Sequence, residues 1–161
     1  MAALQQKLSY IWIEGEACTD HNFSDAVSEA GCSGGKYLRI MKSTEPLGPD
    51  GYRARYVFDA KIESDYEIWF AGTPPALNWV SPVMFSIDSG PPAGVTAGPK
   101  APYHRDLFWT HLGTVKMAPG RHVLTIQLAG RRKAPDTDYV LYIDALAISP
   151  SPFRPNGINR P

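Results

Sequence analysis

Residues 13–18 read IEGEAC, and they set Glu14 and Glu16 two positions apart in an otherwise apolar approach, YIWIEGEA. In an extended strand that spacing turns both carboxylates to one side. They repel each other there, so something must compensate. A glycosidase acid/base pair needs its carboxyls roughly 5 to 9.5 Å apart, flanking a glycosidic bond. Neighbours on one strand fall near the short end of that range and approach from a single side. A solvated strand face is the simplest alternative, and Ile11 and Ile13 permit it. Calcium is the third, since it takes several oxygens from carboxylates and carbonyls. Asp144, in the apolar stretch YIDALAI, is the distant acid most in need of a partner. Three acids around one cation account for both anomalies at once. Salt bridges to Arg39 or Lys42 account for them separately, and the residues alone leave both readings open.

Other chemistry finds little support. The chain has no G-x-S-x-G, no P-loop, no dinucleotide fingerprint and no H-E-x-x-H. His21, His104, His111 and His122 are scattered singly. His111, close to Trp109, is the best placed of them to touch a ligand, and His122 at a strand entrance reads as structural. Cys18 and Cys32 form no C-x-x-C pair, which leaves one disulfide or two buried thiols.

The elements that position these residues are short. The chain of 161 residues has 16 basic and 16 acidic side chains and a formal charge of zero. One domain with a real core is expected, and a dedicated nucleic-acid surface is not. The basic run Arg131-Arg132-Lys133 is followed closely by Asp136 and Asp138, the pattern of a solvated loop. No apolar run reaches membrane-spanning length, and MAALQQKLSY lacks the features of a secretion signal. The clearest pattern is YRARYVFDAKI at 52–62, where Tyr52, Ala54, Tyr56, Phe58, Ala60 and Ile62 share a face. Period two over that length is a half-buried antiparallel strand. Further strands are read at 9–17, 36–40, 66–70, 83–87, around FWTHLGTVKM and RHVLTIQL, and at YVLYIDALAIS. A short helical turn is expected around FSDAVSEAG, and loop from Pro91 to Arg105. Roughly eight strands and no long helix predict an all-β fold of two packed antiparallel sheets, with a closed barrel as the alternative. Residues 1–8 read as an extension, 9–149 as the domain, and the proline-rich 150–161 as a linker or edge strap.

In order along the chain, Glu14-Gly15-Glu16, SGGKYLRI, WTHLGTVKMAPGRHVLTI and YIDALAI resemble the motifs of calcium-containing carbohydrate-binding modules of families 6 and 35. The likeness covers most of residues 10–149 and implies a galactose-binding-like jelly-roll β-sandwich. It implies structural calcium held by Glu14, Glu16 and Asp144, with oxygens from the Ser33-Gly34-Gly35 turn. It makes Tyr37 and Trp109 the two cleft aromatics, with Phe108 packing inward while Trp109 faces out. Such rings meet the apolar C–H face of a sugar while polar neighbours take its hydroxyls. Where these families often carry an asparagine, two residues before the last-strand aspartate, this chain has Tyr142. The amide's role then passes to Asp136 or Asp138, or the cleft is remodelled. Trp79, Asn78 and Tyr103 are additional walls; from the residues themselves, Arg131, Arg132 and Lys133 are the candidates for a uronic acid or sulfated sugar, since arginine forks match anionic oxygens.

The resemblance implies a non-catalytic module that holds an attached glycoside hydrolase or polysaccharide lyase on a polysaccharide, exported as part of that larger enzyme. The expected state is a monomer whose partners are the glycan and the parent catalytic domain, with no nucleic acid and no membrane. The alternative is an accessory β-sandwich that packs against its catalytic neighbour without binding sugar. A small lyase or hydrolase using the acids is a third reading without a full constellation. The ligand set expected is Tyr37, Trp109, Trp79, Tyr142, Asp138 and Arg131, and the metal set Glu14, Glu16, Ser33 and Asp144.

Overall fold

A computed structural model describes residues 10–75 and 77–161; the extension at 1–8 lies outside the described residues. Among the described residues twelve strands are formed: β1 Ile11–Glu14, β2 Asp20–His21, β3 Asp25–Ser28, β4 Lys36–Lys42, β5 Arg53–Ala60, β6 Ser64–Gly72, β7 Val83–Ile87, β8 Ala93–Gly94, β9 Ala101–His104, β10 Leu107–Met117, β11 Gly120–Leu128 and β12 Tyr139–Ser149. They build two antiparallel sheets. One runs β3-β4-β12-β6-β10-β9 with β1 also on β12, and the other runs β2-β5-β11-β7-β8. Among the described residues no helix is long and apolar enough to cross a membrane.

The alternation read from the sequence sets the main core. Tyr52, Ala54, Tyr56, Phe58 and Ala60 are buried, and Tyr66, Ile68, Phe70, Leu124, Ile126 and Leu128 meet them between the sheets. Each fully buried Leu, Ile or Phe contributes about 1.5–3 kcal/mol. Two expectations are corrected. FSDAVSEAG contains β3 rather than a helical turn, because its backbone pairs with β4 from Asp25↔Arg39 to Ser28↔Lys36. The stretch from Pro91 to Arg105 is not all loop, since β8 pairs with β7 and β9 with β10. Both cysteines are free thiols, with Cys32 buried and its thiol pushed up to about 12 by burial and by the nearby Asp144.

The outer face of the larger sheet carries a second apolar layer. Trp69, Ala71, Tyr103, Leu107, Trp109, Ala145, Ala147 and Phe153 are buried there, with Trp12, Tyr37 and Tyr142 packed against them. Phe153 belongs to the segment after β12, which crosses this face. The Trp109 indole N–H donates to the Gly157 carbonyl at 2.9 Å, and Arg160 reaches Glu14 at 3.1 Å.

A smaller clamp joins the β10–β11 turn to the end of β7. His122 places Nδ1 2.8 Å from an Asp88 carboxylate oxygen and Nε2 2.7 Å from the Ala118 carbonyl. Both partners only accept, so both ring nitrogens must donate and the imidazolium fits best. The Ala118 carbonyl and then Asp88 raise the His122 pKa. At Asp88 burial pulls upward, but hydrogen bonds from His122 and the Val123 amide outweigh it and lower the pKa. The raised histidine stabilises the fold below about pH 6.5, its unfolded value, and that contribution is lost as pH rises through the folded value. The lowered aspartate contributes above its unfolded value of 3.8 and loses that as pH falls through its folded value. His122→Gln is therefore expected to lower the melting temperature more at about pH 5.5 than at about pH 8.5. Equal losses in thermal melts at the two pH values would contradict the clamp.

Candidate functional site

The acid cluster forms at a seam. β12 pairs with β4 up to Ile143↔Leu38 and with β1 from Ala145↔Glu14 onward, so Asp144 stands where one partner strand begins and the other ends. Its register with β6 also shifts between Ile143 and Ala145, and a bulge of this kind re-aims a side chain. Gly15 is required on the other side. Its N–H donates to the Asp144 carbonyl at 2.6 Å, and a Cβ there would lie 2.0 Å from the Ile143 carbonyl oxygen. Glycine lets β1 leave β12 at once and brings Glu16 back towards Glu14.

Carboxylate oxygens of Glu14, Glu16 and Asp144 all lie within 4.8 Å of one another. The turn Ser33–Gly35 closes the cluster. Ser33 donates its hydroxyl to Glu14 at 2.7 Å and its amide to Asp144 Oδ2 at 2.8 Å, while the Tyr103 hydroxyl also bonds Asp144 Oδ2. Gly34, at φ 65°, passes so close that a Cβ would sit 3.1 Å from Glu16 Oε1. One oxygen of each acid, Glu14 Oε2, Glu16 Oε2 and Asp144 Oδ1, is enclosed without a partner. Burial first, and then Glu14 and Glu16, push the Asp144 carboxyl up to about 6 against the pull of its hydrogen bonds. Burial also raises Glu16. Three acids clustered this closely, each with one enclosed and unpartnered oxygen, fit a hard divalent cation. They do not fit a glycosidase pair, whose carboxyls stand at least about 5 Å apart across a substrate. Among the described residues neither Arg39 nor Lys42 forms an ion pair with these acids, whereas Arg160 pairs with Glu14.

A second constellation lies on the outer face of the same sheet. Tyr37 and Tyr142 stack with ring centroids 5.2 Å apart and planes 24° from parallel. β4 and β12 bring them together: Tyr142 pairs with Arg39, so Tyr37 is its diagonal neighbour on one face. The two rings line a cavity of about 170 Å³ with Glu29, His104, Arg105, Asp106 and Leu107. Arg105 bonds Glu29 at 2.9 Å and His104 approaches the same carboxylate at 3.3 Å. Arg105 is held at φ 52°, a strained conformation for a side chain with a Cβ. Half-buried rings beside polar groups at a concave surface can hold a small polar ligand by stacking and hydrogen bonds.

The predicted residues divide clearly. Tyr37 and Tyr142 are brought together at the cavity, and Glu14, Glu16, Ser33 and Asp144 at the cluster. Trp109 is a correction: it is 0% exposed, while Phe108, expected inside, is the partly exposed one. The rings of Trp12, Tyr103 and Phe153 surround Trp109 at 5.5, 5.5 and 5.1 Å, so it offers no face to a ligand. Trp79 packs against the main core, away from the tyrosine pair. Arg131 is held by Glu45 at 2.5 Å and lies over the Tyr139 ring at 4.5 Å. Asp138 accepts the Arg132 amide through its carbonyl at 2.8 Å, and Arg132 is paired with Asp136 at 2.9 Å. Tyr103, read as a wall, belongs to the acid cluster. Sequence reasoning missed Glu29, Arg105, Asp106 and Leu107; the polar run YHRD after a proline-rich stretch was the available signal.

No protein-family model matches the chain, and no curated protein matches it by sequence. Solved structures do. A GH26-CBM35 β-(1,4)-mannanase from Podospora anserina aligns with 91% of this chain at 13% identity and a TM-score of 0.59. The C-terminal CBM6 of LamC, a laminarinase from Zobellia galactanivorans, aligns with 87% at 14% identity and 0.56, and 98% of that module is covered. A Paenibacillus xanthan lyase aligns with 87% at 16% identity and 0.63, of which 13% is covered. The chain spans 29% of the mannanase, a module's share of a larger enzyme. Two antiparallel sheets in this arrangement give the chain the β-sandwich fold of the family 6 and family 35 carbohydrate-binding modules.

Proposed function

We propose that the chain is a non-catalytic carbohydrate-binding module that keeps an attached glycoside hydrolase or polysaccharide lyase on its polysaccharide. The observation that carries this reading is the stacked Tyr37–Tyr142 pair at the edge of a polar cavity. One apolar sugar face covers the rings, and Glu29, His104, Arg105 and Asp106 serve the hydroxyls. Tyr142 thus contributes an aromatic surface where the related families often place an amide. The small contact supports weak attachment, micromolar to millimolar, and works by raising the local concentration of substrate. The gain is proximity, not a lowered chemical barrier.

Calcium is the ion we assign to Glu14, Glu16 and Asp144, because three enclosed carboxylate oxygens without partners are what a hard cation satisfies. It would tie the end of β1, the Ser33–Gly35 turn and β12 together. Ser33 supports this arrangement through its amide and hydroxyl bonds to the acids. Export with the parent enzyme and a monomeric state belong to the same reading.

Affinity electrophoresis across neutral, acidic and sulfated polysaccharides tests it. At least one glycan should retard the wild-type chain, and Tyr37→Ala and Tyr142→Ala should each weaken retardation about tenfold or more, as loss of a ring stacked on sugar does. Both variants should keep the wild-type circular dichroism. A second reading, the accessory domain that docks on a catalytic neighbour, is favoured by the burial of Trp109 together with the exposure of Leu47 at 95%. Failure of every glycan to bind would select it.

A further inference from the structure

The segment after β12 is fastened to the outer face of the larger sheet in two ways. One anchor is apolar. The Phe153 ring packs 5.7 Å from that of Trp69 and 5.1 Å from that of Trp109, and the Gly157 carbonyl accepts the Trp109 N–H at 2.9 Å. The other anchor is a charge. Arg160 places Nη2 3.1 Å from Glu14 Oε1 and lays its guanidinium 5.4 Å over the Trp12 ring. The Asn159 amide donates to the Asn156 carbonyl at 3.0 Å, a turn that delivers the chain to this contact. Among the described residues it is the only ion pair made by Glu14, Glu16 or Asp144.

Glu14 therefore has two claimants. Its Oε1 accepts from Arg160 and from the Ser33 hydroxyl at 2.7 Å, while its Oε2 is enclosed without a partner. Asp144, 0% exposed, likewise has an unpartnered oxygen, so the cluster lacks positive charge that Arg160 supplies only in part. A divalent ion among the acids and a guanidinium on Glu14 are like charges sharing one carboxylate, and each weakens the hold of the other. That coupling is reciprocal, with the same factor in both directions. We infer that Arg160 stands in for the cation, so that loading the acid cluster loosens the Arg160 end of the segment while Phe153 keeps the rest in place. The inference rests on the cation reading of Glu14, Glu16 and Asp144 above. The Arg160 side chain is 55% exposed, so solvent screens the pair and the effect is modest.

Titration calorimetry with calcium chloride tests one direction of the coupling. Arg160→Gln should bind the ion about threefold more tightly than wild type, and Arg160→Lys, which keeps the charge, should stay close to wild type. The gain should shrink in high sodium chloride. Circular dichroism reports whether each variant is folded. Amide relaxation of the isotope-labelled wild-type chain tests the other direction without any substitution. Order parameters at Asn159 and Arg160 should fall on adding calcium, while those at Phe153 and Gly157 stay unchanged. Calcium affinity equal or weaker in Arg160→Gln, or a segment end equally ordered with and without the ion, would overturn this inference alone. Absence of calcium binding would overturn it together with the cation reading.

Discussion

Chelating divalent cations is expected to lower the melting temperature of the wild-type chain by about 10 °C relative to the calcium-saturated state. An ion present at about a thousand times its dissociation constant stabilises the native state by about 4 kcal/mol. In a domain of this size each kcal/mol moves the transition by about 2–4 °C. The effect would originate in the enclosed oxygens of Glu14, Glu16 and Asp144, whose mutual repulsion a cation between them would relieve. Asp144→Asn separates this account from a generic salt effect. The amide oxygen still accepts from Ser33 and Tyr103, and the buried charge is gone. In chelator the variant should therefore melt no lower than wild type, and calcium should no longer raise its transition. Scanning fluorimetry of the two proteins with and without chelator makes the comparison. A wild-type transition indifferent to chelator, or an Asp144→Asn chain that responds like wild type, would contradict the site.

Trp109→Ala is expected to cost about 3–5 kcal/mol, the usual penalty for removing a large ring from a packed interior, and so to lower the melting temperature by about 10 °C. Its ring is enclosed by Trp12, Tyr103 and Phe153, and its N–H holds the Gly157 carbonyl. Trp109→Phe keeps most of the packing and loses that hydrogen bond, for a smaller loss of about 1 kcal/mol. Tyr142→Ala should show the opposite balance, a modest stability change with loss of glycan binding. Denaturant titration of the three variants alongside a binding assay resolves these profiles. A Trp109→Ala chain as stable as wild type but unable to bind glycan would return Trp109 to the cleft.

The contrast between these tryptophan and tyrosine positions shows what the sequence could convey. Period-two alternation at 52–62, 66–70 and 124–128 identified the faces that meet between the sheets, because burial there repeats every second residue. The same alternation places Phe108 and Trp109 on opposite faces of β10 without saying which face is dry. That depends on Phe153 and Gly157, which come from a proline-rich tail with no periodicity of its own. β3 was illegible for a related reason. Three of its four residues are exposed and Val27 is half-buried, so an edge strand held by backbone pairing leaves no apolar pattern. The acids were legible as an anomaly, since two carboxylates in YIWIEGEA and one in YIDALAI demand compensation wherever they fold. Their meeting point was not, because it depends on where β1 and β4 exchange places along β12.

Amide chemical-shift mapping of the isotope-labelled chain with a bound oligosaccharide tests the central claim most directly, because it locates the sugar without presuming its identity. The account predicts shifts concentrated at Glu29, Tyr37, His104 to Leu107 and Tyr142, with little change at Trp79, Asp138 or Arg131. Shifts centred on that second group, with the tyrosine pair silent, would place the binding surface elsewhere on the sandwich and contradict the account.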